Sequence, residues 1–144
     1  MNPLLAPVSI FALLFANGAF AASCTAPTQL KDTEIQTLVG GKTLCATKDS
    51  ERWQEFHSGT TSGSLIDYKK GPSDPVDPTS PVGTWSTGSA GNGHTDDRLI
   101  HTYGSTSYSW QVWDNCGGAY SLKGPNGGGT DYIFTIQGGQ TPCP

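Results

Sequence analysis

Residues 107–137 read SYSWQVWDNCGGAYSLKGPNGGGTDYIFTIQ, three short runs separated by two glycine-rich breaks. Tyr108, Trp110 and Val112 recur at every second position of the first run, Tyr120 and Leu122 of the second, and Tyr132, Phe134 and Ile136 of the third. The residues between them are mostly Ser, Thr, Gln and Lys. A period of two with one apolar side is the pattern of a half-buried antiparallel strand. The breaks, Asn115-Cys116-Gly117-Gly118 and Pro125-Asn126-Gly127-Gly128-Gly129, tolerate positive φ and suit hairpin turns, as does Asn92-Gly93 upstream. Sequence neighbours therefore pair with each other.

The same alternation, in weaker form, extends back along the chain. Strands are expected over Lys42 to Thr47, Arg52 to His57, Ser64 to Lys69, Val82 to Thr87, Arg98 to Tyr103, Ser107 to Asp114, Ala119 to Lys123 and Asp131 to Gln137. The expected fold is mostly β: about eight antiparallel strands in up-and-down order closed into a barrel, with a β-sandwich as the alternative. One segment reads as a short N-terminal helix, Thr28 to Val39, with Thr28 as its N-cap, Leu30, Ile35, Leu38 and Val39 as an imperfect apolar stripe, and Gly40-Gly41 as its stop. It is placed as a lid or plug against the sheet. Between Lys70 and Pro81, prolines stand at 72, 75, 78 and 81. That is the three-residue period of polyproline II, so the stretch is read as an extended connection and not as a strand. Long irregular loops of this kind often cover a site.

The chain begins with an uncharged apolar stretch of roughly 13 residues, followed by Ala19-Phe20-Ala21, the small-x-small pattern of a signal-peptide cleavage site. Such a stretch is too short to span a bilayer. Pro3 and Pro7 argue against a buried helix there. The organisation is thus read as a signal peptide at 1–21, an N-terminal segment with the helix at 22–41, and the barrel domain at 42–144. The expected location is periplasmic or secreted. Ala22-Ser23-Cys24 offers the alternative of a lipoprotein acylated at Cys24. Acylation would leave an odd thiol among the four cysteines in an oxidising compartment, so a product with no stable membrane anchor is preferred.

If the strand near Ala119 pairs antiparallel with the last strand, its beginning lies beside that strand's end. This brings Cys116 towards Cys143 and leaves Cys24 for Cys45. The other two connectivities remain open.

The formal net charge is −4, with Lys69-Lys70 as the one basic pair, so no surface for nucleic acid or anionic lipid is visible. Charged residues make up only 14% of the chain while Gly, Ser and Thr abound, a composition of secreted β domains and not of helical bundles. No Gly-x-Ser-x-Gly elbow, His-Glu-x-x-His helix or phosphate-cradling loop occurs. The carboxylates Asp74 and Asp77 sit beside prolines, where turn formation explains them. The sequence thus leans away from an enzyme. His57, His94 and His101 raise the question of a metal: Glu55 and His57 share a strand face, and His94, Asp96 and Asp97 cluster at a turn. Neither set has a zinc or calcium spacing, so no metal and no cofactor is expected.

Trp53, Trp85, Trp110 and Trp113, with Tyr108, are the candidate contacts for a ligand or partner. Aromatics of this size also fill the core of a small barrel. Trp113 is out of phase with Trp110 and should face solvent or the barrel rim.

Gly83-Thr84-Trp85 resembles the Gly-x-Trp of lipocalin barrels. Gly41-Lys42-Thr43, some forty residues earlier, completes a layout similar to small exported lipocalin-like domains. A short N-terminal helix, about eight antiparallel strands and one long loop resemble the calycin-type barrels, the lipocalin-like and avidin-like proteins. In those families the Gly-x-Trp opens the first strand, whereas here it lies mid-chain. The resemblance implies a fold and carries no ligand residue across. The expected function is an exported noncatalytic binding protein with a small apolar ligand in the barrel or at its rim. The alternative is a protein-interaction or enzyme-inhibitor module whose barrel is filled and whose partner is a protein.

Overall fold

The computed structural model describes residues 24–48, 51–67, 80–91, 94–124 and 131–144. Residues 1–23, where a signal peptide is expected, the turns expected at Asn92-Gly93 and Pro125 to Gly129, and most of the proline-spaced stretch lie outside them. The elements are β1 (Thr28–Gln29), α1 (Asp32–Val39), β2 (Lys42–Lys48), β3 (Glu51–His57), β4 (Ser62–Asp67), β5 (Ser80–Gly91), β6 (His94–Tyr103), β7 (Thr106–Asp114), β8 (Tyr120–Lys123) and β9 (Tyr132–Gly138).

Strands β2 to β9 pair with their sequence neighbours, all antiparallel, and β9 returns to pair with β2. The result is a closed eight-stranded up-and-down barrel, which leaves the eight strands with no free edge. That sequential antiparallel order is consistent with a lipocalin-like layout. The register fixes which residues face inward, because a shift by one would turn every side chain over. Leu44 stands opposite Glu55 and Ile136, Trp85 opposite His101, Leu99 opposite Trp110, and Val112 opposite Leu122. Leu44, Ala46, Leu65, Trp85, Leu99, Val112, Leu122 and Phe134 form the buried core.

Helix α1 adds Ile35 and Val39, both fully buried, to that same core. It packs over β2, β5 and β6, and Gln36 Nε2 donates to Thr87 Oγ1 at 2.7 Å. The helix is therefore a plug at one end of the barrel, as its apolar stripe suggests. It begins later than expected. The Glu34 carboxylate accepts from the Lys31 amide at 2.8 Å, so the capped end lies at Lys31 and not at Thr28. Thr28 and Gln29 instead form β1, paired with Asp114 and Trp113 of β7, and the Leu30 amide donates to the Val112 carbonyl at 2.8 Å. β6 covers β7 only as far as Trp110, and β1 takes up the pairing that β6 leaves open beyond it. The helix ends where Gly40 passes under the backbone of Thr60, whose carbonyl oxygen lies 2.4 Å from where a Cβ would stand.

The proline-spaced connection ends earlier than its period suggests. Ser80 and Pro81 already belong to β5, opposite Asp67 and Ile66, at a register shift between Leu65 and Ile66. A proline at the start of a strand beside a bulge gives up no ladder hydrogen bond that the sheet needs.

The disulfides join Cys24 to Cys116 and Cys45 to Cys143, with Cα separations of 5.5 and 5.8 Å. This corrects the expected pairs, Cys24–Cys45 and Cys116–Cys143. β8 and β9 do pair, with Tyr120 opposite Phe134, but the chain runs on past the barrel after Gly138. That tail carries Cys143 back to β3, where its amide donates to Gln54 Oε1 at 2.7 Å. Gln54 stands opposite Cys45, so the tail cysteine meets β2. Cys116, in the turn after β7, is left beside the segment that enters β1, which carries Cys24. Two such bridges suit an oxidising, extracytoplasmic environment. No helix among the described residues is long and apolar enough to cross a membrane.

Candidate functional site

The end of the barrel away from α1 is lined by aromatic side chains from four strands. Trp53 projects inward from β3, His101 and Tyr103 from β6, Tyr108 and Trp110 from β7, and Tyr132 from β9. Their rings form a closed circuit. The centroid separations are 5.7 Å for Trp53–His101, 6.2 Å for His101–Tyr103, 6.0 Å for Tyr103–Tyr108, 6.4 Å for Tyr108–Trp110, 5.4 Å for Trp110–Tyr132 and 6.0 Å for Tyr132–Trp53. Five of the six contacts are tilted or edge-on, the arrangement that the ring quadrupole favours, while Tyr108 and Trp110 lie nearly parallel at 15°. Tyr108 is 48% exposed, whereas His101 is fully buried, so the circuit runs from solvent into the interior. The backbone leaves room for it. Gly83, the glycine of Gly83-Thr84-Trp85, would place a Cβ 2.3 Å from the Thr102 carbonyl oxygen and 3.1 Å from the Tyr103 ring.

Beneath the circuit lies a buried polar chain. The Tyr103 hydroxyl donates to Glu55 Oε1. Glu55 Oε2 is 3.3 Å from His101 Nδ1, without the alignment of a good hydrogen bond. His101 Nε2 is 3.0 Å from His57 Nε2, and His57 Nδ1 is 3.1 Å from the Glu55 carbonyl oxygen. Glu55, His57 and His101 are all at most 1% exposed.

The tautomers follow from that oxygen. A carbonyl only accepts, so His57 carries its proton on Nδ1 and, when neutral, presents a bare Nε2. His101 Nε2 must then donate, which leaves its Nδ1 bare and facing Glu55. A bare nitrogen beside an ionised carboxylate is repelled, and a protonated carboxyl relieves the repulsion. Burial acts in the same direction, raising the Glu55 carboxyl to about 7, with Asp67 adding to the rise and the Tyr103 and Trp53 donors opposing it. Burial likewise lowers His57 to about 4 and holds His101 well below its ordinary value. The chain is therefore neutral throughout in mildly acidic solution.

The structure places the candidate residues in three settings. Trp53, Tyr108 and Trp110 come together in the circuit. Trp85 is separate: it is 2% exposed, edge-on to His57 at 5.4 Å, and its indole donates to the Ser58 carbonyl at 2.8 Å, so it is a core residue. Trp113 faces outward, as its phase requires, but it is half-buried, with Lys123 Nζ 4.6 Å above its ring. Glu55 and His57 share the inward face, as the strand period requires. Tyr103, Tyr132 and His101 also belong to the site. The sign that could have pointed to them is the intrusion of polar residues on an inward phase, Trp53-x-Glu55-x-His57 on β3 and His101-x-Tyr103 on β6.

Asp96, considered with His94 and Asp97 for a metal, has another use. It pairs with the buried Arg98 at 2.9 Å and accepts from Gln111 Nε2 at 2.6 Å, and the Gln111 bond leads the causes that hold its carboxyl low. Gln29 of β1 donates to the Asp97 carbonyl at 3.4 Å, so the cluster fastens β1 to the barrel wall. The His94 side chain lies outside the described residues. Among those described, no three His, Cys, Asp or Glu side chains are arranged to hold a metal.

Compared with protein-family models, curated proteins and solved structures, the chain matches none.

Proposed function

We propose that this chain is an exported noncatalytic binding protein that takes a small apolar ligand at the aromatic-lined end of its barrel. The observation that carries the reading is the closed circuit of six rings, which passes from the exposed Tyr108 to the buried His101. At the helix end the core is closed, with Ile35, Val39, Leu44 and Leu99 fully buried and Trp85 only 2% exposed among them. At the other end, large flat side chains remain half-buried, a combination that suits reversible contact with a ligand. The lipocalin-like layout and the two disulfides support an exported, lipocalin-like protein of periplasmic or secreted location.

The alternative, a protein-interaction or inhibitor module, rests on the outer face. Its leading residue, Trp113, is half-covered by Lys123, and its indole donates to Gln111 Oε1 at 3.4 Å. That arrangement leaves less ring free for a partner than the circuit does for a ligand.

The test uses N-phenyl-1-naphthylamine, an apolar probe that brightens on leaving water. Its emission should rise and saturate with the full oxidised chain. Trp110→Ala, and Tyr108→Ala at the exposed position, should each weaken binding about tenfold, while Trp113→Ala leaves it unchanged. No emission change, or a loss confined to Trp113→Ala, would reject the reading.

A further inference from the structure

From the aromatic circuit and the carboxyl beneath it we infer that the ligand is an organic cation, an apolar body carrying an ammonium group that sits against the rings and faces Glu55. The inference rests on the binding-protein reading and names the ligand class for the same site.

Three observations carry it. The first is the wall: Trp53, Tyr103, Tyr108, Trp110 and Tyr132 gather from four strands of the barrel, and the electron-rich faces of such rings are the surroundings in which a weakly hydrated cation is held. The second is the acid. Glu55 is 1% exposed, and its Oε2 has no well-formed hydrogen bond. Its neighbour at 3.3 Å is His101 Nδ1, bare in the tautomer set by His57, so once the carboxyl ionises this oxygen lacks a donor. The third is the sign of the field. Asp67 stands opposite Glu55 on β4, His101 and Tyr103 of β6 reach its carboxyl oxygens, and His57 lies on its own strand. Among these the charge acting on Glu55 is Asp67, of like sign. Tyr103 feels both carboxyls, which, after burial, hold its hydroxyl proton on more firmly. An anionic ligand would meet the Glu55 carboxylate at a cost, and a cation would pair with it.

The protons balance as follows. In acid solution Glu55 carries a proton, and the cation's arrival expels it: the O–H bond breaks, the carboxylate faces the ammonium, and one proton leaves to solvent. Above neutrality the carboxylate is already ionised and no proton is released. Affinity should therefore rise with pH by about tenfold per pH unit up to about 7 and level off beyond it.

Benzyltrimethylammonium and its uncharged carbon isostere, neopentylbenzene, separate charge from shape, and neither titrates. With the full oxidised chain at pH 8, the cation should bind at least about tenfold more tightly than the isostere. Between pH 5 and pH 7 its affinity alone should rise, by about fiftyfold. Glu55→Gln, whose amide replaces the protonated carboxyl, should remove both the preference and the pH slope. If the two probes bind equally, the cation inference fails and the apolar-ligand reading stands. If neither binds, both fail. Should Glu55→Gln not fold, the pH slope of the unaltered chain decides, and a flat profile overturns the inference.

Discussion

Glu55 sits on an inward phase of β3, where a barrel ordinarily places an apolar side chain, and its protonation couples the interior to pH. In the fold its carboxyl holds a proton up to about 7, against an ordinary 4.5. Its contribution to stability is full below 4.5 and is lost as pH rises to about 7, where the unfolded chain ionises freely and the folded one resists; the loss is about 3 kcal/mol in all. His57 works in the opposite sense: its contribution is full above 6.5 and is lost as pH falls towards about 4. Glu55→Gln should therefore leave the acid limb unchanged and remove the alkaline one. In urea unfolding at pH 5 and pH 8, the variant should gain about 2 to 3 kcal/mol on the unaltered chain between the two. An equal difference at both pH values would contradict the neutral chain of hydrogen bonds. The shared strand face of Glu55 and His57 was legible in the sequence, since it needs only the strand period. Their meeting with His101 and Tyr103 was not. Those residues stand on β6, three strands further round, and only closure of the barrel brings Trp53 within 5.7 Å of His101.

At the scale of elements, alternation and turn residues located all eight barrel strands, because both signals are local. β1 escaped notice because two residues have no period. Thr28 read as a helix cap for the same reason that it suits a strand, being a β-branched residue with a hydroxyl. The disulfides depend on distance along the chain. The strand pairing that motivated Cys116–Cys143 exists, yet the residues after Gly138 lead Cys143 to the far neighbour of β9, and nothing local indicates where a tail turns. The bridges span 92 and 98 residues of sequence, so each constrains much of the unfolded chain. Peptide mapping under nonreducing conditions should recover Cys24 linked to Cys116 and Cys45 linked to Cys143. Removing either bridge by Cys→Ser pairs should cost roughly 4 kcal/mol. Recovery of Cys24 linked to Cys45 would overturn the described path of both chain ends.

For the whole molecule, the barrel divides its interior between two ends. Fully buried side chains, Trp85 among them, and α1 close one; half-buried aromatics over a buried acid occupy the other. This division is the central claim, and the four tryptophans report on it, two in the circuit, one in the core and one outside. The most direct measurement is the indole N–H region of a nitrogen-15 correlation spectrum, recorded while N-phenyl-1-naphthylamine is added to the oxidised chain. The Trp53 and Trp110 signals should shift together and saturate, while Trp85 and Trp113 stay in place. A shift of Trp113 alone, or no shift at all, would contradict the assignment of the aromatic end as the binding site.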